Sequence, residues 1–251
     1  MSEPNNEAVP IVQHLVELRT RLIWVIGVMI LGTTISYFFV PQILNILMIP
    51  LANAMGQSDT HRLIMTGLTE GFFAYLKIAF FAGIFLTFPI LLMQLWMFVA
   101  PGLYKQEKRA FLPFLIATPV LFFCGALCVY YILIPMAWPF FLSFQLSSAE
   151  AVLPIEQETR ISEYLDLIMT LVFAFGLCFQ LPVLLTLLGR AGFVSAEFLA
   201  KNRKYAILFS FIIGAFLTPP DVVSQVVLAL PIMGLYELSI LLIKAGQKSD
   251  T

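Results

Sequence analysis

Long apolar runs separated by short charged stretches constrain this chain more than any other feature. About 20 apolar residues suffice to cross a hydrocarbon core roughly 30 Å thick. Inside that core only helices or closed barrels satisfy every backbone polar group. The 251 residues are 60% hydrophobic and 12% charged, with a mean hydropathy of +0.94; soluble domains carry roughly 25% charged residues. The chain therefore reads as an all-α, polytopic membrane protein, a single integral membrane domain over residues 1–251. A net charge of −1 leaves no basic field for nucleic acid. The first ten residues are polar and acidic, with Glu3 and Glu7. They lack the basic start of a signal peptide, so the first span is expected to be a retained helix.

In chain order, residues 8–19 put Ile11, Val12, Leu15 and Leu18 on one helical face and Gln13, Glu17 and Arg21 on the other. That pattern predicts an amphipathic helix at the membrane surface. Six spans are predicted at about 22–40, 72–99, 111–134, 165–188, 205–218 and 222–243. Short interfacial helices are expected in the external segment that carries Pro50. Most of the fifteen prolines lie in or beside apolar runs, which predicts kinked or broken helices. Pro89 falls inside the second span and Pro182 inside the fourth, while Pro219 and Pro220 force a turn between the fifth and sixth. The fifth span, 14 residues, reaches only about 21 Å. The sixth is apolar only to Tyr236 before Glu237, so it too is expected to be short. Lys77 is expected to snorkel to the outer surface, and Ser162 to cap the fourth span with Glu163 and Asp166 behind it.

Charge counting orients the chain. Eleven of its 14 Lys and Arg fall in the N-terminal, C-terminal and even-numbered connecting segments; Arg62 and Arg160 fall in the others and Lys77 in a span. By the positive-inside rule both termini are cytoplasmic. Glu17 and Glu107 then share the cytoplasmic face.

No enzyme chemistry is legible, and no cofactor or metal is implied. There is no Gly-x-x-x-x-Gly-Lys-[Ser/Thr] phosphate loop, and His14 and His61 fall at opposite faces. Cys124, Cys128 and Cys178 lie in apolar runs as small fillers. An ion-coupled transporter of a small solute is the alternative reading. It would need ionisable residues near the midplane, where the deepest polar side chain is Gln180, which does not titrate. A recognition surface remains. Glu107 stands among Lys105, Lys108 and Arg109, and Glu17 beside Arg19 and Arg21. Each carboxylate either pairs with these neighbours or awaits a cation from outside. Gln180 either bonds backbone freed by Pro182, bridges helices, or docks a partner helix. Thr218, Asp221 and Gln225 cluster at the outer end of the last hairpin, as caps or as a docking point.

Five motifs, in order, resemble one family: His14-Leu-Val-Glu-Leu-Arg-Thr-Arg-Leu22, Ala100-Pro-Gly-Leu-Tyr-Lys-Gln-Glu-Lys-Arg109, Phe173-Ala-Phe-Gly176, Gln180-Leu-Pro182 and Leu217-Thr-Pro-Pro-Asp221. Together they resemble the TatC family of the twin-arginine protein translocase over nearly the whole chain. The resemblance implies a multi-pass receptor in the bacterial cytoplasmic (inner) membrane for folded proteins whose signal peptides carry two consecutive arginines. It implies that Glu17 and Glu107, with Arg19 and Lys105 beside them, bind that arginine pair. It implies self-association within the receptor complex, contact with lipid, and docking of the single-span partners TatB and TatA on the last two helices, where Thr218 and Gln225 match a polar cluster. The family usually carries Glu at position 180; Gln180 keeps a hydrogen-bonding role there without the charge.

Overall fold

The computed structural model describes residues 11–55, 63–103, 108–143, 158–217 and 222–249. Lys105, Glu107, Thr218, Pro219, Pro220 and Asp221 lie outside them. The described chain is helical: α1 (Ile11–Phe38), α2 (Val40–Met55), α3 (Glu70–Leu103), α4 (Lys108–Cys128), α5 (Ile134–Leu142), α6 (Ile161–Cys178), α7 (Leu181–Arg190), α8 (Ala196–Lys201), α9 (Arg203–Leu217) and α10 (Val222–Ser249). Five stretches are long and apolar enough to cross a membrane: Leu18–Phe38, Glu70–Met97, Pro113–Phe141, Ile161–Arg190 and Gln225–Gly246. The short apolar α2 lies between the first two.

The helix expected over 8–19 runs into the first span as one helix, described from Ile11 onward. The expected length of the last span changes. The sixth span is not short: α10 runs 28 residues, straight through Glu237. Glu237 does not interrupt it because its carboxylate is met by Arg203, which donates from Nε to Oε1 at 2.6 Å and from Nη2 to Oε2 at 2.8 Å. Helix α9, at 15 residues, spans about 22 Å.

Prolines act differently by position. Helix α3 continues past Pro89, and α4 past Pro113 and Pro119. Ahead of Pro135, whose ring nitrogen has no proton to donate, the chain widens into a π-helical turn over Val129–Leu133, and the Ile134 N–H reaches back five residues to Val129 O. Ahead of Pro182 the fourth span breaks into α6 and α7 at Phe179–Gln180.

Helix α1 packs chiefly along α3, α4 along α6, and α10 along both α7 and α9. The largest apolar core joins Leu47 and Leu51 of α2, Ile78 of α3, Val129 and Leu133 of the π turn, and Leu165, Ile168 and Phe175 of α6. Tyr164 donates to Leu47 O and Tyr130 to Ile46 O, at 2.7 Å in the latter, anchoring α2 on that core. A second core, Leu92, Trp96, Phe114, Phe122, Val183 and Leu187, fills the half nearer the α3–α4 junction. Many apolar side chains of α1 remain exposed, among them Leu22, Ile23, Trp24, Ile30 and Leu31. That surface suits hydrocarbon rather than water.

At the opposite end the segments before α3 and α6 are cross-linked. The Ile64 N–H donates to Thr159 O and the Ile161 N–H donates to Ile64 O, each at 3.1 Å. The Glu70 carboxylate accepts from Thr66 N at 2.7 Å, Gly67 N at 3.1 Å and Ser162 Oγ at 2.6 Å. Ser162 is therefore not the cap of α6. Arg160 holds that position, and the Ser162 hydroxyl is spent on Glu70.

Helix α1 approaches α3 where both are small. A Cβ at Gly83 would fall on the backbone of Thr33, and one at Gly32 would come within 2.8 Å of Thr87 Cγ2. Overpacking of this kind costs about 1–3 kcal/mol. Gly83→Val is expected to lower the thermal midpoint of the detergent-solubilised chain, while Gly27→Ala, with nothing within 4 Å, leaves it unchanged. Equal midpoints for both variants would contradict the close crossing.

Candidate functional site

The site is built on the α1–α3 pair. Arg21 of α1 donates from Nη1 to Gln94 O of α3 at 3.1 Å, and the Gly83–Thr33 approach lies farther along the same crossing. The two contacts fix an antiparallel register. Position 17, one turn before Arg21, is level with the α3 turn around Phe98, about 7 Å short of Leu103 at 1.5 Å per residue. Arg19 is exposed beside it. Glu107 and Lys105 lie outside the described residues; Lys108, which follows Glu107 in sequence, opens α4.

Gln180 sits at the break between α6 and α7 and is 7% exposed. Its backbone N–H turns to Leu177 O, three residues back, at 2.9 Å. That leaves Gly176 O short of its usual helical donor. The Gln180 side chain compensates: Nε2 donates to Gly176 O at 3.4 Å and, across the interface, to Thr118 O of α4 at 3.1 Å. The amide thus bridges two helices, as one of the sequence readings allowed, and serves the carbonyl left open where the Gln180 N–H turns away. Its Oε1 is buried with no hydrogen-bond partner. Because both acceptors on the Nε2 side are carbonyls, the side chain here must present a donor.

The α9–α10 hairpin holds Gln225, whose Nε2 donates to Phe211 O of α9 at 2.9 Å. Gly214 faces Gln225 closely. Thr218 and Asp221, expected beside it, lie outside the described residues. At the other end of the hairpin the Arg203–Glu237 pair and the Tyr236 hydroxyl, which donates to Leu199 O at 2.9 Å, fasten α8 and α9 to α10.

One polar constellation escapes a linear reading. Lys77 of α3 does not simply snorkel. Its Nζ donates to both carboxylate oxygens of Asp166 on α6, at 2.8 and 2.9 Å. The available signal is that each is an isolated charge one or two turns inside an apolar run, and such a charge seeks its opposite. The positions, 89 residues apart, reveal the pairing only in the fold.

The whole of residues 13–231 matches the model of the family described as Sec-independent protein translocase protein (TatC). Sec-independent protein translocase protein TatC of Magnetococcus marinus is 47% identical over 92% of this chain and 82% of its own length. The TatC proteins of Rickettsia prowazekii and Escherichia coli are 42% and 36% identical, each over 92% of this chain and over 90% and 86% of their own lengths. The crystal structure of the twin arginine translocase receptor TatC superposes with a TM-score of 0.80 at 37% identity, covering 93% of this chain and 99% of that one. A second crystal structure of that receptor, in DDM, gives the same TM-score at 38% identity. The family model and the relatives cover most of the chain, so the chain is a multi-pass membrane protein that belongs to the TatC family of Sec-independent protein translocase proteins.

Proposed function

We propose that this chain is the signal-peptide receptor of a twin-arginine translocase, selecting folded precursors at the cytoplasmic face of the bacterial inner membrane and assembling with TatB and TatA for transport. The observation that carries the reading is the antiparallel docking of α1 on α3. It sets position 17 alongside the end of α3, whose sequence runs on to Glu107. Six spans, with α9 as the fifth and both termini cytoplasmic, accord with the charge distribution. That arrangement puts both carboxylates and their cationic neighbours Arg19 and Lys105 on the face that meets cargo.

Magnitudes divide the work. Exposed ion pairs contribute about 0.2–1 kcal/mol and hydrogen bonds to charged groups about 1.5–3 kcal/mol. Two arginines on two carboxylates discriminate, but do not alone hold a folded protein. The apolar segment of the signal, at about 0.8 kcal/mol per buried CH2, supplies residence in the membrane. Arginine is preferred to lysine because its planar fork pairs with a carboxylate in bidentate fashion.

The α9–α10 hairpin is the docking face for the partner helices. Gln225 is half-buried there against Phe211 O, a few residues along the sequence from Thr218 and Asp221. Gln180 serves docking as a positioning residue, holding the α6–α7 break against α4 rather than touching the partner. Pro50 and Pro89, inside α2 and α3, and Pro182 at the break shape the helices that bear these sites.

Photocrosslinking of a twin-arginine precursor to membranes carrying Glu17→Ala with Glu107→Ala is expected to fall by about tenfold or more; undiminished, arginine-dependent crosslinking would contradict this site. Inserting one helical turn into α9 is expected to impair transport while leaving precursor crosslinking intact, because α9 is shorter than the hydrocarbon core. Gln180→Leu removes the bond to Thr118 O and is expected to cost about 1 kcal/mol in a detergent unfolding series, with a loss of partner co-purification larger than any loss of signal-peptide binding.

A further inference from the structure

The Lys77–Asp166 pair heads a groove between α3 and α6 that no part of the receptor reading uses. Lys77 and Asp166 have side chains 50% and 53% exposed. They are the polar members of a cavity of about 320 Å³ whose remaining lining is Phe80, Phe81, Ile84, Met169 and Phe173. An ion pair open to water is unremarkable. This one faces apolar side chains on a surface that meets the bilayer.

Depth and direction decide what fits. Lys77 lies about 10 Å inside Glu70 and Asp166 about 8 Å inside Ile161, at 1.5 Å per residue. The apolar stretch of α3, Glu70–Met97, is about 42 Å long against a hydrocarbon core of about 30 Å, so its excess puts the pair near the polar boundary. Helices α3 and α6 run in the same direction here: the pair joins them near their starts, and the Phe88 and Phe173 rings meet farther along, with centroids 4.7 Å apart. From Lys77 the stripe Phe81 and Ile84, and from Asp166 the stripe Met169 and Phe173, both lead toward the bilayer centre. The groove therefore has a charged head at the boundary and an apolar tail pointing inward, the shape and polarity of a lipid in the nearer leaflet.

The charges select the headgroup. One cation and one anion side by side complement a zwitterion, not a net charge. Lys77 Nζ spends its donors on Asp166, yet an ammonium has three and a carboxylate accepts more than two bonds. A phosphate can approach Lys77 while a primary ammonium approaches Asp166, leaving the protein pair intact. We propose that this groove binds one aminophospholipid, its phosphate on Lys77, its ammonium on Asp166 and the start of an acyl chain along Phe81, Ile84 and Phe173. A headgroup bearing only phosphate and hydroxyls would bring its anion to Lys77 but offer Asp166 no ammonium. A quaternary ammonium would reach the carboxylate without N–H donors.

The test is native mass spectrometry of the full chain, delipidated in detergent. It is titrated with phosphatidylethanolamine, phosphatidylglycerol and phosphatidylcholine of identical acyl chains. The wild type is expected to retain the ethanolamine lipid about tenfold over the other two, as one charge-assisted hydrogen bond allows. Asp166→Asn and Lys77→Gln should each bring that preference to within about twofold of parity. The Lys77→Asp/Asp166→Lys exchange, which keeps one charge of each sign, should retain it. Equal retention of the three lipids by the wild type overturns the proposal without recourse to any variant. So does a preference unchanged in Asp166→Asn. A photoreactive residue at Phe80 that captures a protein helix in native membranes, rather than lipid, overturns it in favour of a partner surface.

Discussion

A hydrocarbon core offers no hydrogen-bond partner, and several features of this molecule answer that constraint. Where Pro135 withholds a donor, the helix widens into a π turn and Ile134 finds Val129 O instead. Where Pro182 breaks the fourth span, the Gln180 side chain restores a bond to Gly176 O and carries a second to α4. Where charges enter the apolar stretches they are paired: Lys77 with Asp166, Arg203 with Glu237. Among the described residues, several polar contacts between helices sit where backbone or charge would otherwise be stranded.

The same economy positions the candidate site. The inner ends of α1 and α3 are held in register by one side chain, Arg21 on Gln94 O, and by the close crossing at Gly83 and Gly32. At the far end, Glu70 gathers the turn before α3 and the start of α6 around one carboxylate. A frame fastened at both ends and packed with Phe85, Phe88, Phe122 and Phe173 between is stiff. A rigid frame accords with the proposed role of a receptor for a short peptide motif.

Hydropathy made the spans legible, because length and apolarity alone mark a transmembrane helix. It did not show what the arginines at the start of the first span meet: Arg21 donates to a carbonyl of α3. Nor did it show the length of α10, since the partner that tolerates Glu237 lies 34 residues away. Ser162 looked like a cap because its sequence neighbours fit one; Glu70, 92 residues earlier, takes its hydroxyl. Gln180 and Gln225 were recognisable as polar residues in apolar surroundings, but their acceptors, Thr118 O and Phe211 O, are backbone atoms, which leave no mark in a sequence. The arginine-binding role of Glu17 and Glu107 rests on family motifs, since local pattern equally allows pairing with neighbouring cations.

In the proposed function, selection by the carboxylates and retention by the membrane are separable, and a peptide isolates the first. The purified chain, alone in detergent, should be offered a twin-arginine signal peptide and its Lys-Lys variant, with both affinities measured by fluorescence anisotropy. Capture of the arginine peptide with release of the lysine peptide is the predicted result. Equal retention of the two peptides would contradict recognition through bidentate pairing and leave the apolar segment as the sole determinant of binding.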